Sequence, residues 1–193
     1  DVGWEPEVGA PGDVLVEPLL GACGRAKKEG KVRQLALAGH HGGMRECLEA
    51  GVECGQYEGF FTKYDFVSYP EQDEILNRAA AQGIGTMVFK VNAGNRQREL
   101  EDLTSSGRHF NQAAVKWALT NPDVASVCIR ITNFDQLREF AAAVGTGLEA
   151  SEVAMLRRYA DEMYDKYCRF CGECEASCPR GVAVADSNRY AMY

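Results

Sequence analysis

Residues 32–50, VRQLALAGHHGGMRECLEA, contain a strand, a turn and a helix in succession. Residues 32–38 alternate and then become apolar, as in a buried strand, and the glycine-rich turn at 39–43 leads into a short helix. The same pattern recurs along the chain. It predicts further strands around 66–68, 86–90 and 126–131, and helices at 19–29, 44–50, 72–82, 110–119 and 135–143.

Strands that alternate with helices of about ten to fifteen residues indicate parallel βαβ units, because parallel neighbours need a long crossover connection. The predicted fold class is therefore α/β. Four strand-helix units are half of a closed (β/α)8 barrel, so we expect the other half to come from further residues or from a partner chain. An open, flavodoxin-like sheet is the alternative.

The segments on either side of the repeats differ from them. The proline-containing start of the chain reads as an irregular lead-in, with at most one short strand around 14–16. Asn133 is expected to cap the last helix of the repeats, and Ser151 a further helix that reaches about Tyr164. The predicted organisation is a lead-in (1–18), a half-barrel (19–147), and a helical connector with a small ferredoxin-like module (148–193).

Half of the eight cysteines lie within eleven residues near the end of the sequence. Cys168, Cys171, Cys174 and Cys178, followed by Pro179, form the pattern C-x2-C-x2-C-x3-C-P, the spacing of bacterial ferredoxins. Structural zinc sites usually present two separated pairs, and disulfides between cysteines this close would close strained loops. The pattern therefore predicts that these four cysteines bind a single 4Fe-4S cluster.

The fourth ligand is an open point, because in two-cluster ferredoxins the fourth cysteine serves the other cluster, and this chain shows no second run. Cys178 is the predicted ligand. The alternatives are a residue of a partner chain or one of the scattered cysteines, which otherwise read as small buried hydrophobic residues: Cys23, Cys47, Cys54 and Cys128. Expected hydrogen-bond donors around the cluster are Arg169, Arg180 and the backbone amides of Gly172 and Gly181. The alternative for either arginine is a side chain that is simply solvated.

Charge and hydropathy exclude some partners. The net charge of −7 and the pI near 5.1 do not suit a nucleic-acid partner, and no stretch approaches the roughly 18 apolar residues of a membrane span. The cysteine usage favours a reducing compartment, the cytoplasm, with the periplasm after processing left open. Because the sequence starts with Asp1 and not with Met, we expect Asp1 to be a processed terminus, a proteolytic end or a truncation.

Three strings besides the cysteine loop carry a resemblance to a known family: residues 29–40 (EGKVRQLALAGH), 113–119 (AAVKWAL) and 128–138 (CIRITNFDQLR). In this order, residues 19–190 resemble the C-terminal half of aldo/keto reductase family proteins that carry a ferredoxin-like 4Fe-4S tail. The resemblance implies a TIM (β/α)8 barrel and an oxidoreductase. The family's catalytic tetrad belongs to the missing N-terminal half, so no catalytic residue is expected in this chain.

The same resemblance points to candidate cofactor residues, with NADP expected only when the missing half is present. Phe89 and Lys90 lie where a family aromatic residue stacks on nicotinamide. Arg130 to Thr132 and Gln136 correspond to residues that bind a 2′-phosphate, although Lys90 and Arg130 also suit pairing with local carboxylates. His40 and His41 are either site residues after a strand or turn residues bonded to backbone.

Two functions follow as hypotheses. The first is an iron-sulfur oxidoreductase of the aldo/keto reductase type, whose cluster relays electrons to a redox partner protein. The second is a non-catalytic half-barrel that serves as an electron-transfer or structural subunit of a larger complex. Hydride transfer moves two electrons, whereas a cubane cluster usually passes one, so the first hypothesis needs a step that divides the pair.

Overall fold

The computed structural model describes residues 17–39, 43–68, 72–93, 108–169 and 173–191, together with Gly12 and Leu15. Helices and strands alternate through most of these ranges. In chain order the elements are α1 (Glu17–Lys28), β1 (Ala36–Gly39), α2 (Met44–Cys54), β2 (Gly59–Lys63), α3 (Asp73–Ala81), β3 (Gly85–Phe89), α4 (Arg108–Leu119), β4 (Ser126–Cys128), α5 (Phe134–Ala143), α6 (Ala150–Met163), α7 (Glu173–Ser177) and α8 (Val184–Ala191).

The four strands form one parallel sheet in the order β1-β2-β3-β4, which confirms the α/β class. Each strand pairs with the strand that precedes it in the chain. A flavodoxin-like sheet would instead reverse its strand order at a switch point, and the described strands contain no such reversal. The sheet is therefore compatible with a partial α/β barrel.

The two faces of the sheet have different surroundings. Phe60 of β2 and Val88 of β3 are buried under the helices, Phe60 beside Leu48 of α2 and Val88 beside Leu76 of α3. On the opposite face, which we call the open face, Met87 is 45% exposed and the rings of Phe61 and Phe89 lie 4.6 Å apart. By alternation and register the open face comprises Ala36, Ala38, Phe61, Lys63, Met87, Phe89, Ser126 and Cys128.

Helix α6 packs against the repeats. Its Tyr159 and Met163 share a core with Phe66 and with Phe110 of α4. The ammonium of Lys116 on α4 lies 2.7 Å from the carboxylate of Glu152 on α6. The connector is thus held to the sheet-and-helix layers by both apolar and ionic contacts.

Most predicted elements are confirmed, with ends that shift by a few residues. Helix α2 continues to Cys54, strand β4 stops at Cys128, and Asn133 caps α5 by accepting a hydrogen bond from the Gln136 N–H at 2.9 Å. Of the strand predicted around 14–16, Leu15 is described and is not part of a strand, and Val14 and Val16 lie outside the described residues. Among the described residues no helix is both long and apolar enough to cross a membrane.

Two local predictions are wrong. The second strand is Gly59–Lys63 rather than 66–68, because the Asp65 carboxylate accepts the N–H groups of Val67 and Ser68 and bends the chain into a turn. Helix α6 is capped by Glu149 and not by Ser151. The Glu152 carboxylate accepts the Glu149 N–H at 2.8 Å, which fixes the first turn two residues earlier.

Candidate metal centre

The described cysteines of the motif lie around the short helix α7. Cys168 precedes it, Cys174 lies within it and Cys178 follows it, and all three are partly exposed. Cys171 and Gly172 lie outside the described residues. Within the described ranges, no three histidine, cysteine or acidic side chains are grouped as metal ligands. Ligation by Cys168, Cys171, Cys174 and Cys178 therefore stays a prediction.

A backbone N–H group lies within hydrogen-bond distance of the Cys178 sulfur. The backbone N–H of Val182 donates to Cys178 Sγ at 3.4 Å, and amide donors of this kind stabilise negative charge on a ligating sulfur. The predicted donor Gly181 is used differently, because its N–H bonds the Cys178 carbonyl at 3.1 Å. Gly181 has a φ of +63°, a left-handed conformation that glycine adopts without strain, and this turn presents Val182 to the sulfur.

The two arginines predicted as donors lie on either side of helix α7. Arg169 lies over the ring of Tyr164, with its guanidinium carbon 4.6 Å from the ring centroid, and donates to the Tyr164 hydroxyl at 3.4 Å. Arg180 is exposed. Contacts from either arginine to a cluster stay a prediction.

A buried charged cluster lies at the carboxyl end of β2, and the sequence analysis missed it. The ammonium of Lys63 is 3.0 Å from Asp65 Oδ2, and both side chains are 0% exposed. It also donates to Ser68 Oγ at 2.5 Å and to the carbonyl oxygen of Cys168 at 3.4 Å, and it lies 4.5 Å from the centre of the Tyr167 ring. We call these five residues the Lys63 cluster.

The carboxylate of Asp65 has several partners besides Lys63. It accepts the N–H groups of Val67 and Ser68 at 3.0 and 2.9 Å, and the Tyr167 hydroxyl at 3.4 Å. Burial, followed by the nearby charge of Asp65, raises the pKa of Tyr167 well above its usual value, so this phenol remains a neutral donor. The residue before Cys168 is thereby tied to the end of the sheet where sites of parallel α/β proteins form.

A signal for this cluster was present in the sequence. Lys63 ends the otherwise apolar run GFFTK, and Asp65 follows two residues later. A lysine at the end of a buried strand is unusual, since lysine is rarely buried without a partner. The residues that complete the cluster come from a distant part of the chain and are not indicated by this local pattern.

The candidate cofactor residues lie at the ends of two neighbouring strands. Phe89 pairs in register with Cys128, which brings Lys90 after β3 and Arg130 to Thr132 after β4 to the same edge. The N–H and hydroxyl of Thr132 both donate to Gln136 Oε1, at 2.8 and 2.9 Å. Both donors of Thr132 thus have an internal acceptor. His40 and His41 lie outside the described residues.

The scattered cysteines occupy two different places. Cys47 is buried and Cys54 partly buried in the core on the helix-covered face. With Cys23 they lie around Tyr57, whose pKa is raised above its usual value by burial first and by these thiols next. Cys128 is exposed at the end of β4, so the expectation that it is a small buried residue is wrong.

Neither a protein-family model nor a curated protein sequence matches this chain. The resemblance to aldo/keto reductases is therefore an interpretation of the four strings quoted above. The chain's own residues with chemistry to offer are the cysteine pattern, the N–H···S hydrogen bond at Cys178 and the Lys63 cluster.

Proposed function

We propose that this chain is an iron-sulfur oxidoreductase of the aldo/keto reductase type. Cys168, Cys171, Cys174 and Cys178 bind its 4Fe-4S cluster, which accepts and donates one electron at a time. The observation that carries the proposal is the pattern C-x2-C-x2-C-x3-C-P, because its thiolate spacing and terminal proline are those of bacterial ferredoxins.

The residues around the pattern fit such a group. Thiols are the ligands that iron-sulfur clusters require, and the three described cysteines of the motif are all partly exposed, so iron and sulfide have access to them. The Val182 amide supplies a hydrogen bond to one of these sulfurs, at Cys178. Hydrogen bonds to ligating sulfurs stabilise the reduced, more negative form of a cluster.

The second element of the proposal is half of a TIM barrel. Four parallel strands in chain order, with helices on one face, support it because they are compatible with four of the eight units of such a barrel. The open face carries the apolar side chains of Phe61, Met87 and Phe89, which in a closed barrel would face the interior. We therefore infer that the partner is a second half-barrel, either further residues of the same protein or another chain, and that NADP binds only when it is present.

A non-catalytic electron-transfer or structural subunit is the second candidate. The observation that favours it is the contact between Thr132 and Gln136, because both donors of Thr132 bind a side chain in place of a phosphate. In this second candidate function the chain binds the cluster but does not bind nicotinamide. Addition of NADPH to the loaded, completed barrel separates the two: the oxidoreductase binds it and the structural subunit does not.

The test of the cluster compares the native chain with Cys178→Ala and Cys128→Ala after anaerobic purification. Iron, acid-labile sulfide and the EPR signal after dithionite reduction are measured for each. The proposal expects about four irons and four sulfides in the native chain and in Cys128→Ala, and their loss in Cys178→Ala. Zinc without sulfide in the native chain would overturn the electron-transfer function, and a cluster lost only in Cys128→Ala would make Cys128 the fourth ligand.

A further inference from the structure

Lys63 occupies a position where a charge is costly. It is the last residue of β2, and its side chain is fully buried together with that of Asp65. Taking two charges out of water carries a large desolvation cost, and apolar residues of similar volume often serve stability as well or better. The presence of a buried lysine here therefore calls for a role other than filling space.

The contacts of the ammonium join two distant parts of the chain. Asp65 and Ser68 belong to the turn that directly follows β2. The Cys168 carbonyl, by contrast, comes 105 residues later. Asp65 accepts a hydrogen bond from the Tyr167 hydroxyl, so Lys63 contacts both residues at which the cysteine loop begins and Asp65 contacts the first of them.

We propose that Lys63 is a positioning residue for the cluster. It fixes Cys168 at the carboxyl end of the sheet, and its positive charge raises the reduction potential of the bound cluster. This inference rests on the proposed function. The ammonium contacts the backbone of a ligand residue, and a positive charge near a cluster favours its reduced, more negative state. The Asp65 carboxylate acts in the opposite direction.

Because the two charges have opposite signs, removing one or both should shift the midpoint potential in opposite directions. A simple loss of packing would not produce such a pattern. Lys63→Met with Asp65→Asn removes both charges and leaves no uncompensated carboxylate. Asp65→Asn alone removes the negative charge and keeps the ammonium. We expect the double variant to have a lower midpoint potential than Asp65→Asn and the native chain, and Asp65→Asn to have a higher one.

The matched control is Lys116→Met with Glu152→Gln. This ion pair is also largely buried, with side chains 11% and 10% exposed. It joins α4 to α6 and does not involve a residue of the Lys63 cluster. Full chains are loaded anaerobically, and iron content and an EPR-monitored redox titration are recorded. At a fixed applied potential the reduced-to-oxidised ratio should be on the order of tenfold lower in the Lys63 double variant than in Asp65→Asn, about 59 mV for one electron, because these two chains differ only in the ammonium. The control should keep the ratio of the native chain.

Each outcome has a defined meaning. A potential equal to that of the native chain in both Asp65 variants, with four irons bound, overturns the role of Lys63 and leaves the proposed function intact. A native chain without iron or sulfide removes the proposed function and this inference together. A double variant that keeps the helical circular dichroism of the native chain but binds less iron supports the positioning role, and Asp65→Asn then tests the charge.

Discussion

The hydroxyl of Tyr159 donates a hydrogen bond to the carbonyl oxygen of Ala93 across 3.3 Å and so joins helix α6 to the turn that follows β3. The ring is fully buried, with centroids 4.8 Å from Phe110 and 5.7 Å from Phe66. Burial first, and the charge of Asp65 next, raise the pKa of Tyr159 to about 12. The connector helix thus supplies a titratable group to the core of the repeats.

Replacement of Tyr159 by Phe should change how the protein responds to alkali. The unfolded chain loses the phenol proton near pH 10 and the folded chain near pH 12, so Tyr159 stabilises the fold below pH 10 and this contribution is lost as the pH rises toward 12. We expect a loss of up to roughly 2–3 kcal/mol over this range in the native chain and a shallower one in Tyr159→Phe. Urea unfolding at several pH values measures it.

The control for that experiment is Tyr190→Phe. Tyr190 is 69% exposed, so its removal should leave the alkaline profile as it is in the native chain. Equal slopes for Tyr159→Phe and Tyr190→Phe would contradict the assignment of the alkaline loss to Tyr159.

Two glycines in helices should respond oppositely to alanine. A Cβ at Gly51 of α2 would lie 2.9 Å from Leu37 Cδ2 and 3.2 Å from the Phe60 ring, whereas one at Gly24 of α1 would meet nothing within 4 Å. Gly24→Ala should stabilise the protein by about 0.5–1 kcal/mol through helix propensity. Gly51→Ala should destabilise it by roughly 1 kcal/mol or more, because its neighbours are packed. Thermal unfolding of both variants decides, and stabilisation of both would refute the close packing of α2 on the sheet.

Replacement of Phe110 by alanine should strongly destabilise the fold. Phe110 is fully buried between α4, α6 and the turn after β2, and its ring lies 5.9 Å from that of Phe66. Phe110→Ala should cost about 3–5 kcal/mol of unfolding free energy, through lost burial and the cavity left behind. The matched control is Phe134→Ala, since Phe134 is 76% exposed and should cost less than about 0.5 kcal/mol. Urea denaturation compares the two.

Glu58 should stabilise the protein only above acidic pH. Its carboxylate bonds the Lys27 ammonium and accepts the Leu35 N–H at 2.7 Å, and these contacts, Lys27 first, lower its pKa below the usual value. The contribution is complete above the ordinary pKa of a glutamate and is lost as the pH falls through the lowered value. Glu58→Gln should cost about 0.5 kcal/mol at neutral pH, because the pair is partly exposed.

That difference should shrink as the pH falls below about 4. Glu29→Gln serves as the comparison, since Glu29 pairs with Lys31 at the surface, where the two side chains are 53% and 72% exposed. If Glu58→Gln and the native chain differ by the same amount at acidic and neutral pH, the carboxylate contacts do not carry the effect.

The sequence predicts those parts of the fold that depend on local periodicity. The strand at 32–38, helix α4 and the Asn133 cap are all predicted from short-range signals. The helix and the cap are confirmed, and the strand is confirmed over 36–38. The strand predicted at 66–68 is wrong because two N–H groups there bond the Asp65 carboxylate, an interaction that hydropathy does not register. The start of α6 is wrong for a similar reason, since a glutamate pair and not Ser151 satisfies its first turn.

The candidate site also contains a part that local sequence predicts and a part that depends on the tertiary fold. Ligation by the four cysteines stays a prediction from their local spacing, and the structure adds the Val182 amide as a donor to the sulfur of Cys178. The contact between Lys63 and Cys168 is not predictable, because it forms between residues 105 positions apart that share no repeat. Burial of a lysine depends on which residues cover it, and that is decided by the tertiary fold.

The order of the strands also bears on how the protein is made. Because β1 to β4 pair in the order in which the ribosome delivers them, each new unit meets a neighbour that has already been synthesised, and nothing has to be inserted between existing strands. The hydrogen bond from the Lys63 ammonium to the Cys168 carbonyl, by contrast, can form only after Cys168 has been synthesised, 105 residues later. A ribosome that stalls before Tyr167 and Cys168 would therefore leave a sheet in which the charges of Lys63 and Asp65 are not yet covered.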